Sequence, residues 1–452
     1  MKKVLILAYD YPPYLGVGGF RPYGWYKYLP ENDVYPIVVT RQWGTKYGNF
    51  LDYVAPGDSD QTLVESTEHG VVLRTPYRPN LSNRLLLKYG KNKYSFIRKL
   101  VTAYYEFFQF LFFIGPKVQL YFAAKEYLKK NKVDVIIATG DPFILFKYAA
   151  ALSKKFNTPW IADYRDPWTF DPKRIRNGII WRWNLFFEKK YIQTASSVIV
   201  VSSLLKNQIS SIVNKAVYHV LPNGFNPDTV GNATELEQEN ECLSIVHAGT
   251  VYQWHPLESF LRGCNEFVTN HPGVKLRIDF FGLNIPETLN NLLNTEFVHL
   301  KPHVQVYLKI PQAELMRKMA RSNVFLVFNS YGFMGTKIYD YLALKRLILL
   351  CFSNDAQANE LKLKYYNTQM PESADIKTQE DILHETNAGI VVKDYMELAR
   401  VLAHLYQELT NTGRVHCASE NTEQFSRRTQ VKLLAEIIKN TPAKNAQPMQ
   451  AT

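Results

Sequence analysis

Cysteine is scarce in this chain. Cys242, Cys264, Cys351 and Cys417 are the only four, and none are paired at metal-knuckle spacing. That excludes a disulfide framework and fits a reducing compartment. Long apolar runs are missing too. The longest, Leu100–Ile114, is broken by Glu106 and Gln109, and a bilayer span needs about 20 apolar residues. The opening MKKVLILAYDYPP resembles a secretory leader only briefly. Its apolar run stops at Ala8, and Tyr-Asp-Tyr-Pro-Pro replaces a small-residue cleavage site, so Val4–Ala8 reads as a buried strand. The expectation is a cytosolic protein with no transmembrane anchor. Gly16-Val17-Gly18 is followed by Gly19-Phe20-Arg21, which is not the dinucleotide fingerprint, and no phosphate-loop motif or H-E-x-x-H occurs. His299 and His303 are separated by the helix-breaking Pro302, and Asp58-Ser-Asp60 lies in a Pro/Gly loop that reads as a turn. No short internal repeat is visible.

What is present is apolar bulk and an uneven charge. Hydrophobic residues make up 46% of the 452, and charged ones 21%, enough to bury large cores in about two to four domains. Residues 1–225 carry 31 Lys and Arg against 16 Asp and Glu, whereas residues 226–452 carry 22 against 25. A basic first half suggests a polyanionic partner, a membrane surface or nucleic acid.

Short β-branched or Leu-rich runs alternate with helical patterns. Strands are expected at Val4–Ala8, Tyr35–Thr40, Val71–Arg74, Val135–Thr139, Trp160–Asp163 and Val198–Ser202, then at Ser244–Ala248, Lys275–Phe281, Val324–Phe328 and Leu347–Phe352. Unalternating runs of this kind are strands buried on both faces. Helices are expected between them, for example at Phe146–Phe156, Trp181–Ala195, Pro256–Asn270 and Lys337–Leu344. The fold class is therefore α/β, two Rossmann-like doubly wound domains facing across a cleft, with ligands outside the C-terminal strand ends. The expected division is 1–225, a polar linker at 226–241 and a second domain at 242–424. A tail at 441–452 is small and polar.

Three segments could carry chemistry. Gly16, Gly18 and Gly19 follow the first strand and allow close backbone approach to a ligand; a tight strand-to-helix turn is the plainer reading. Asp163-Tyr-Arg165-Asp166 follows the strand ending at Ala162. A carboxylate there can orient or deprotonate a sugar hydroxyl and an arginine can hold a phosphate, unless the two form a structural pair. The third segment is Asn329–Leu342. Gly332 and Gly335 make a loop, Thr336 is placed as an N-cap, and Lys337 and Asp340 share one helix face. A helix N-terminus with a lysine suits a diphosphate, and a carboxylate one turn on suits vicinal ribose hydroxyls. On spacing alone a surface Lys–Asp pair would explain the last two.

In order along residues 4–440, "PPYLGVGGFRPYGWYKYL", "TPWIADYRDPWTF", "VLPNGFNPD", "IVHAGTVYQWHPLESFL", "GTKIYDYLALKRLIL" and "EQFSRRTQVKLLAEII" together resemble the GT-B-fold glycosyltransferases of family 4, in the bacterial polysaccharide branch. The resemblance implies that Lys337, with backbone amides at Gly249 and Thr250, contacts a donor diphosphate. It implies that Gly335 and Thr336 form the donor loop, that Asp340 holds the ribose in place of a glutamate, and that Gly18 and Gly19 approach the diphosphate. Asp163, Arg165 and Asp166 would line the acceptor side near the anomeric carbon. A C-terminal helix at 425–440 would cross back to the first domain. The family often has glutamates eight residues apart; here Gly332 and Asp340 stand there, and its Arg and Lys after the Gly-Thr turn give way to Tyr252–His255. No metal and no cofactor are implied, only a nucleotide-diphosphate sugar as donor substrate.

Between His69 and Tyr105 lie Arg74, Arg78, Arg84, Lys88, Lys91, Lys93, Arg98 and Lys99 and no acid, followed by the aromatic Leu100–Ile114. A basic stretch beside an aromatic, non-spanning helix suits an interfacial membrane contact, segment 74–114; a core helix with a solvated basic loop is the other reading. Nucleic acid is disfavoured, because no helix-turn-helix, zinc or RNP pattern accompanies the charge. The reading is a cytoplasmic enzyme, peripheral on the inner face of the plasma membrane. It would be a retaining glycosyltransferase acting on a lipid-linked or polysaccharide acceptor of a surface glycan such as capsule, O-antigen or exopolysaccharide. The alternatives are a nucleotide-sugar 2-epimerase of the same fold and a non-catalytic sugar-nucleotide-binding protein.

Overall fold

The computed structural model describes residues 1–14, 16–44, 51–170, 178–214, 216–330, 335–365 and 377–444. Two compact units make up the chain: Met1–Asn223 together with Arg427–Thr452, and Gly224–Ser426.

The first unit is built on eight strands: β1 (Lys2–Leu7), β2 (Val34–Arg41), β3 (Leu63–Ser66), β4 (Val71–Thr75), β5 (Val135–Gly140), β6 (Trp160–Tyr164), β7 (Ser197–Val200) and β8 (Val217–Val220). They lie in the order β3-β4-β2-β1-β5-β6-β7-β8. Every pairing is parallel except β3 with β4. Strand order reverses at β1 and β5, the position where doubly wound sheets open a crevice at their C-terminal ends. The sheet is covered on both faces. Leu5 and Leu7 pack with Phe146 and Leu152 on one side, and Val4 and Ile6 pack with Trp25 and Leu434 on the other. Leu434 belongs to the helix Arg427–Asn440, which buries Val431, Leu434, Ala435 and Ile438. The chain's last helix is thus part of the first unit's core.

The second unit holds β9 (Leu243–Ala248), β10 (Leu276–Phe281), β11 (Val304–Tyr307), β12 (Val324–Phe328), β13 (Leu347–Cys351) and β14 (Gly389–Val392). The sheet order is β11-β10-β9-β12-β13-β14, parallel throughout, and the reversal falls between β9 and β12. The segment 226–241, read from sequence as an exposed linker, is folded onto this unit. Val230 and Ala233 are buried with Met316, Met319 and Ile338, and Asn323 donates to Gln238 Oε1 at 3.0 Å and to the Glu239 carbonyl at 2.7 Å. Its few apolar residues are all used, which composition alone does not reveal.

In the basic, aromatic segment the chain forms two helices, Leu81–Tyr89 and Ser95–Phe108. The second buries none of its residues, so it is not a core helix. The chain returns to the core directly after it, at Gln109 and Phe110. Among the described residues, no helix is long and apolar enough to cross a membrane.

Candidate active site

The C-terminal ends of β1, β5 and β6 meet at the first unit's crevice. Gly16–Gly19 form a tight 3-10 turn after β1, and the helix Phe20–Tyr28 follows. Gly18 is required here for close approach: a Cβ would collide with the Arg165 guanidinium and the Asp10 carboxylate. A Cβ on Gly19 would press to 3.2 Å from the Tyr11 backbone nitrogen.

Asp163 at the end of β6 is fully buried. Its carboxylate accepts from Arg21 Nη2 at 2.8 Å and Nε at 3.1 Å, and from Thr139 Oγ1 at 2.7 Å. Arg21 completes the arrangement by donating to the Pro222 carbonyl at 3.0 Å. Asp163 is thus the buried partner of Arg21, in an ion pair whose members the sequence separates by 142 positions. Arg165 is half-buried and donates to the carbonyls of Gly140 at 3.0 Å, Gly18 at 2.5 Å, and Asp141. Three of its five N–H groups tie the glycine loop to the end of β5. Asp166 is exposed.

Asp10 is the residue that sequence reasoning passed over. It lies three residues past the end of β1, one carboxylate oxygen faces Gly18, and its buried Oδ1 has no hydrogen-bond partner among the described residues. Burial pushes its carboxyl up to about 6; Arg165 pulls it down, Asp141 raises it, and Lys117 and Arg41 lower it. The available signal was its position, an acid at the C-terminal end of a parallel strand beside a glycine loop.

In the second unit, Gly249, Thr250, Thr336, Lys337 and Asp340 gather at the ends of β9 and β12. Gly249 sits at φ +115°, and a Cβ there would lie 3.8 Å from Lys337 Cε, so the lysine stem passes over the glycine. Lys337 Nζ is 3.6 Å from Asp340 Oδ2. The lysine is partly exposed and the aspartate buried. Two expectations change. The Gly249 amide donates to the Phe281 carbonyl at 2.9 Å and is spent on extending the sheet; Thr250 beside it is exposed. Thr336 stands at the N-cap position of the helix Lys337–Leu344 but has helical dihedrals and makes no side-chain cap. Gly335 is ordered with open space around its Cα; Gly332 lies outside the described residues.

Two histidines that the sequence did not mark wall this half-site. His247 Nδ1 donates to the Leu326 carbonyl at 3.1 Å. Burial, with the Lys337 ammonium adding to it, depresses the imidazole to about 4. His255 accepts at Nδ1 from the Tyr252 amide at 3.2 Å and donates from Nε2 to Ser330 Oγ at 3.1 Å, and burial lowers it to about 3. Both are neutral at physiological pH and leave Lys337 as the nearby cation. Among the described residues no cluster of three or more His, Cys, Asp or Glu could hold a metal ion.

Residues 27–229 match the family model described as Glycosyltransferase Family 4. No curated protein sequence matches the chain. Among solved structures it is similar to a sucrose-phosphate synthase from Thermosynechococcus elongatus, with a TM-score of 0.61 at 14% identity over 97% of this chain and 98% of that one. It is similar to Anabaena Alr3699/HepE in complex with UDP-glucose, with a TM-score of 0.55 at 13% identity over 97% and 100%. It is also similar to a UDP-forming trehalose-phosphate synthase from Burkholderia xenovorans, with a TM-score of 0.55 at 11% identity over 98% and 99%.

Proposed function

We propose that the chain, whose residues 27–229 match the model of Glycosyltransferase Family 4, is a glycosyltransferase of the GT-B type that moves a sugar from a nucleotide-diphosphate donor to a lipid-linked or polysaccharide acceptor in surface-glycan synthesis, with retention of configuration. The observation that carries the donor half is Lys337 lying over Gly249 with Asp340 at 3.6 Å. In this reading the Lys337 ammonium and the uncapped start of its helix stabilise the charge that develops on the departing diphosphate. Asp340 accepts from the ribose hydroxyls. The bond from the anomeric carbon to the phosphate oxygen breaks, the acceptor oxygen bonds to that carbon, and its proton passes to the departing phosphate. Neutral His247 and His255 do not compete with Lys337 for the anion. Similar structures, one in complex with UDP-glucose and one of a UDP-forming synthase, support a uridine nucleotide as the first donor to try.

On the first unit, Arg165 and exposed Asp166 are the acceptor-side groups. Helices 81–89 and 95–108 and the turn between them present Arg84, Lys88, Lys91, Lys93 and Lys99 to solvent beside exposed Phe96, Leu100 and Tyr104. This supports a peripheral contact with the anionic cytoplasmic leaflet, where a lipid-linked acceptor resides. An epimerase would have no use for such a surface.

The test is a thermal-shift and transfer assay with UDP- and GDP-sugars. Wild type is stabilised by one of them and transfers its sugar to a lipid acceptor. Lys337→Ala and Asp340→Ala each weaken donor binding by at least about tenfold, the loss expected of one charge-assisted contact. Undiminished stabilisation in both variants would remove the site assignment, and isomerised donor without transfer would favour the epimerase.

A further inference from the structure

The membrane reading above rests on residues 74–114, and a sequence-distant helix packs against the end of that segment's second helix. Helix Ile179–Ile192 is locked against helix 95–108 and the turn after it. Trp183 stacks on Phe107 with centroids 4.0 Å apart and planes 5° apart, and its Nε1 donates to the Phe107 carbonyl at 3.2 Å. Tyr191 Oη donates to the Phe110 carbonyl at 2.8 Å, and Phe187 stacks on Phe110 at 5.4 Å.

On this anchored helix the outer apolar residues are left bare. Ile179 is 83% exposed, Ile180 72% and Phe186 58%. Ile179 precedes Trp183 by one turn and Phe186 follows it by three residues, so both flank the ring that abuts helix 95–108. Phe96, at 71% exposed, and Leu100, at 56%, are bare on the partner helix. Two neighbouring isoleucines in water are costly unless something covers them. The surrounding charge says what: Arg182, Lys189 and Lys190 are exposed on helix 179–192, and its one acid, Glu188, is buried, accepting from Tyr164 and Thr169.

We infer that Ile179, Ile180 and Phe186 form the second half of a bilayer-contact surface shared with helix 95–108, and that its occupant is an anionic phospholipid interface. The basic residues draw the surface to the headgroups, and the isoleucines enter the acyl boundary. The inference rests on the membrane reading but not on the donor site.

The experiment is co-sedimentation of the full chain with phosphatidylcholine vesicles, with and without phosphatidylglycerol, at low and high salt. Wild type binds the anionic vesicles and keeps part of that binding at high salt. Ile179→Asn with Ile180→Asn lowers partitioning by at least about tenfold at both salts, as expected for removing two aliphatic side chains from the acyl boundary. Lys91→Gln, Lys93→Gln and Lys99→Gln together lower it mainly at low salt. Ile179→Val with Ile180→Val keeps binding, and the melting curve of the Asn pair matches wild type, which separates lost contact from lost fold. Unchanged partitioning of the Asn pair would overturn the inference. So would a lipid-free dimer of wild type that the Asn pair disperses, since a second copy would then be the cover. Failure of the functional reading looks different: vesicle binding persists while no nucleotide sugar stabilises wild type.

Discussion

At the scale of single residues, Asp163 and Asp10 in the first unit stand in contrasting surroundings. Asp163 stands where a cleft residue should stand, yet Arg21 and Thr139 close over it. Position at a strand end was legible in the sequence; the arginine that arrives from 142 residues away was not. Asp163→Asn leaves the Arg21 guanidinium buried without its charge partner and should cost about 3–5 kcal/mol of stability, measured by urea unfolding. Replacing Arg21 with Met in the same chain should recover part of it. Loss of transfer without loss of stability in Asp163→Asn would return Asp163 to the active site. Asp10 behaves oppositely. Its folded carboxyl titrates near 6, above its ordinary 3.8, so the stability it lends is complete below the ordinary value and is lost as pH rises through 6. Asp10→Asn should therefore stabilise the protein at pH 8 by about 1–3 kcal/mol and leave it nearly unchanged at pH 4. Equal effects at both pH values would show that Asp10 is not held neutral by its surroundings.

At the scale of elements, the interior strands were legible and the edges were not. The ten expected strands correspond to β1, β2, β4, β5, β6, β7, β9, β10, β12 and β13. The four unexpected ones, β3, β8, β11 and β14, are the two edges of each sheet. An interior parallel strand is covered on both faces and flanked on both sides, so it must be apolar along its length. An edge strand has one neighbour and can be short and polar: β3 is exposed at all four residues, and β8 and β11 bury none. Helix 427–440 shows the reverse lesson. Its polar composition gives little sign of a core element, yet Leu434 is fully buried against Val4 and Trp25. Leu434→Ala should cost about 2–5 kcal/mol, read as a lower denaturation midpoint of the first unit. A cost below about 0.5 kcal/mol would mean that the helix is only loosely docked.

At the scale of the whole molecule, two separate hydrophobic cores are joined by a chain that leaves the first unit and returns to it. Each core is large enough to unfold cooperatively, so two transitions are expected on denaturation. Truncation after Ser426 removes Val431, Leu434, Ala435 and Ile438 from the face formed by Val4, Ile6 and Trp25. The expected outcome is loss of the first unit's transition, with the second retained, measured by calorimetry of the full and truncated chains. Two intact transitions in the truncated chain would show that the last helix is dispensable to the first core.

The sequence by itself determined the fold class, the interior strands, the glycine loop after β1 and the pairing of Lys337 with Asp340. These follow from local periodicity and from residues at most a helical turn apart. Only the tertiary structure decided which polar groups remain open to a ligand. It spent Asp163 on Arg21 and the Gly249 amide on Phe281, left Asp10 Oδ1 without a hydrogen-bond partner among the described residues, and brought helix 179–192 beside helix 95–108. The reason is physical: a buried polar group must find a partner, and in a doubly wound sheet that partner comes from a strand or loop far along the chain.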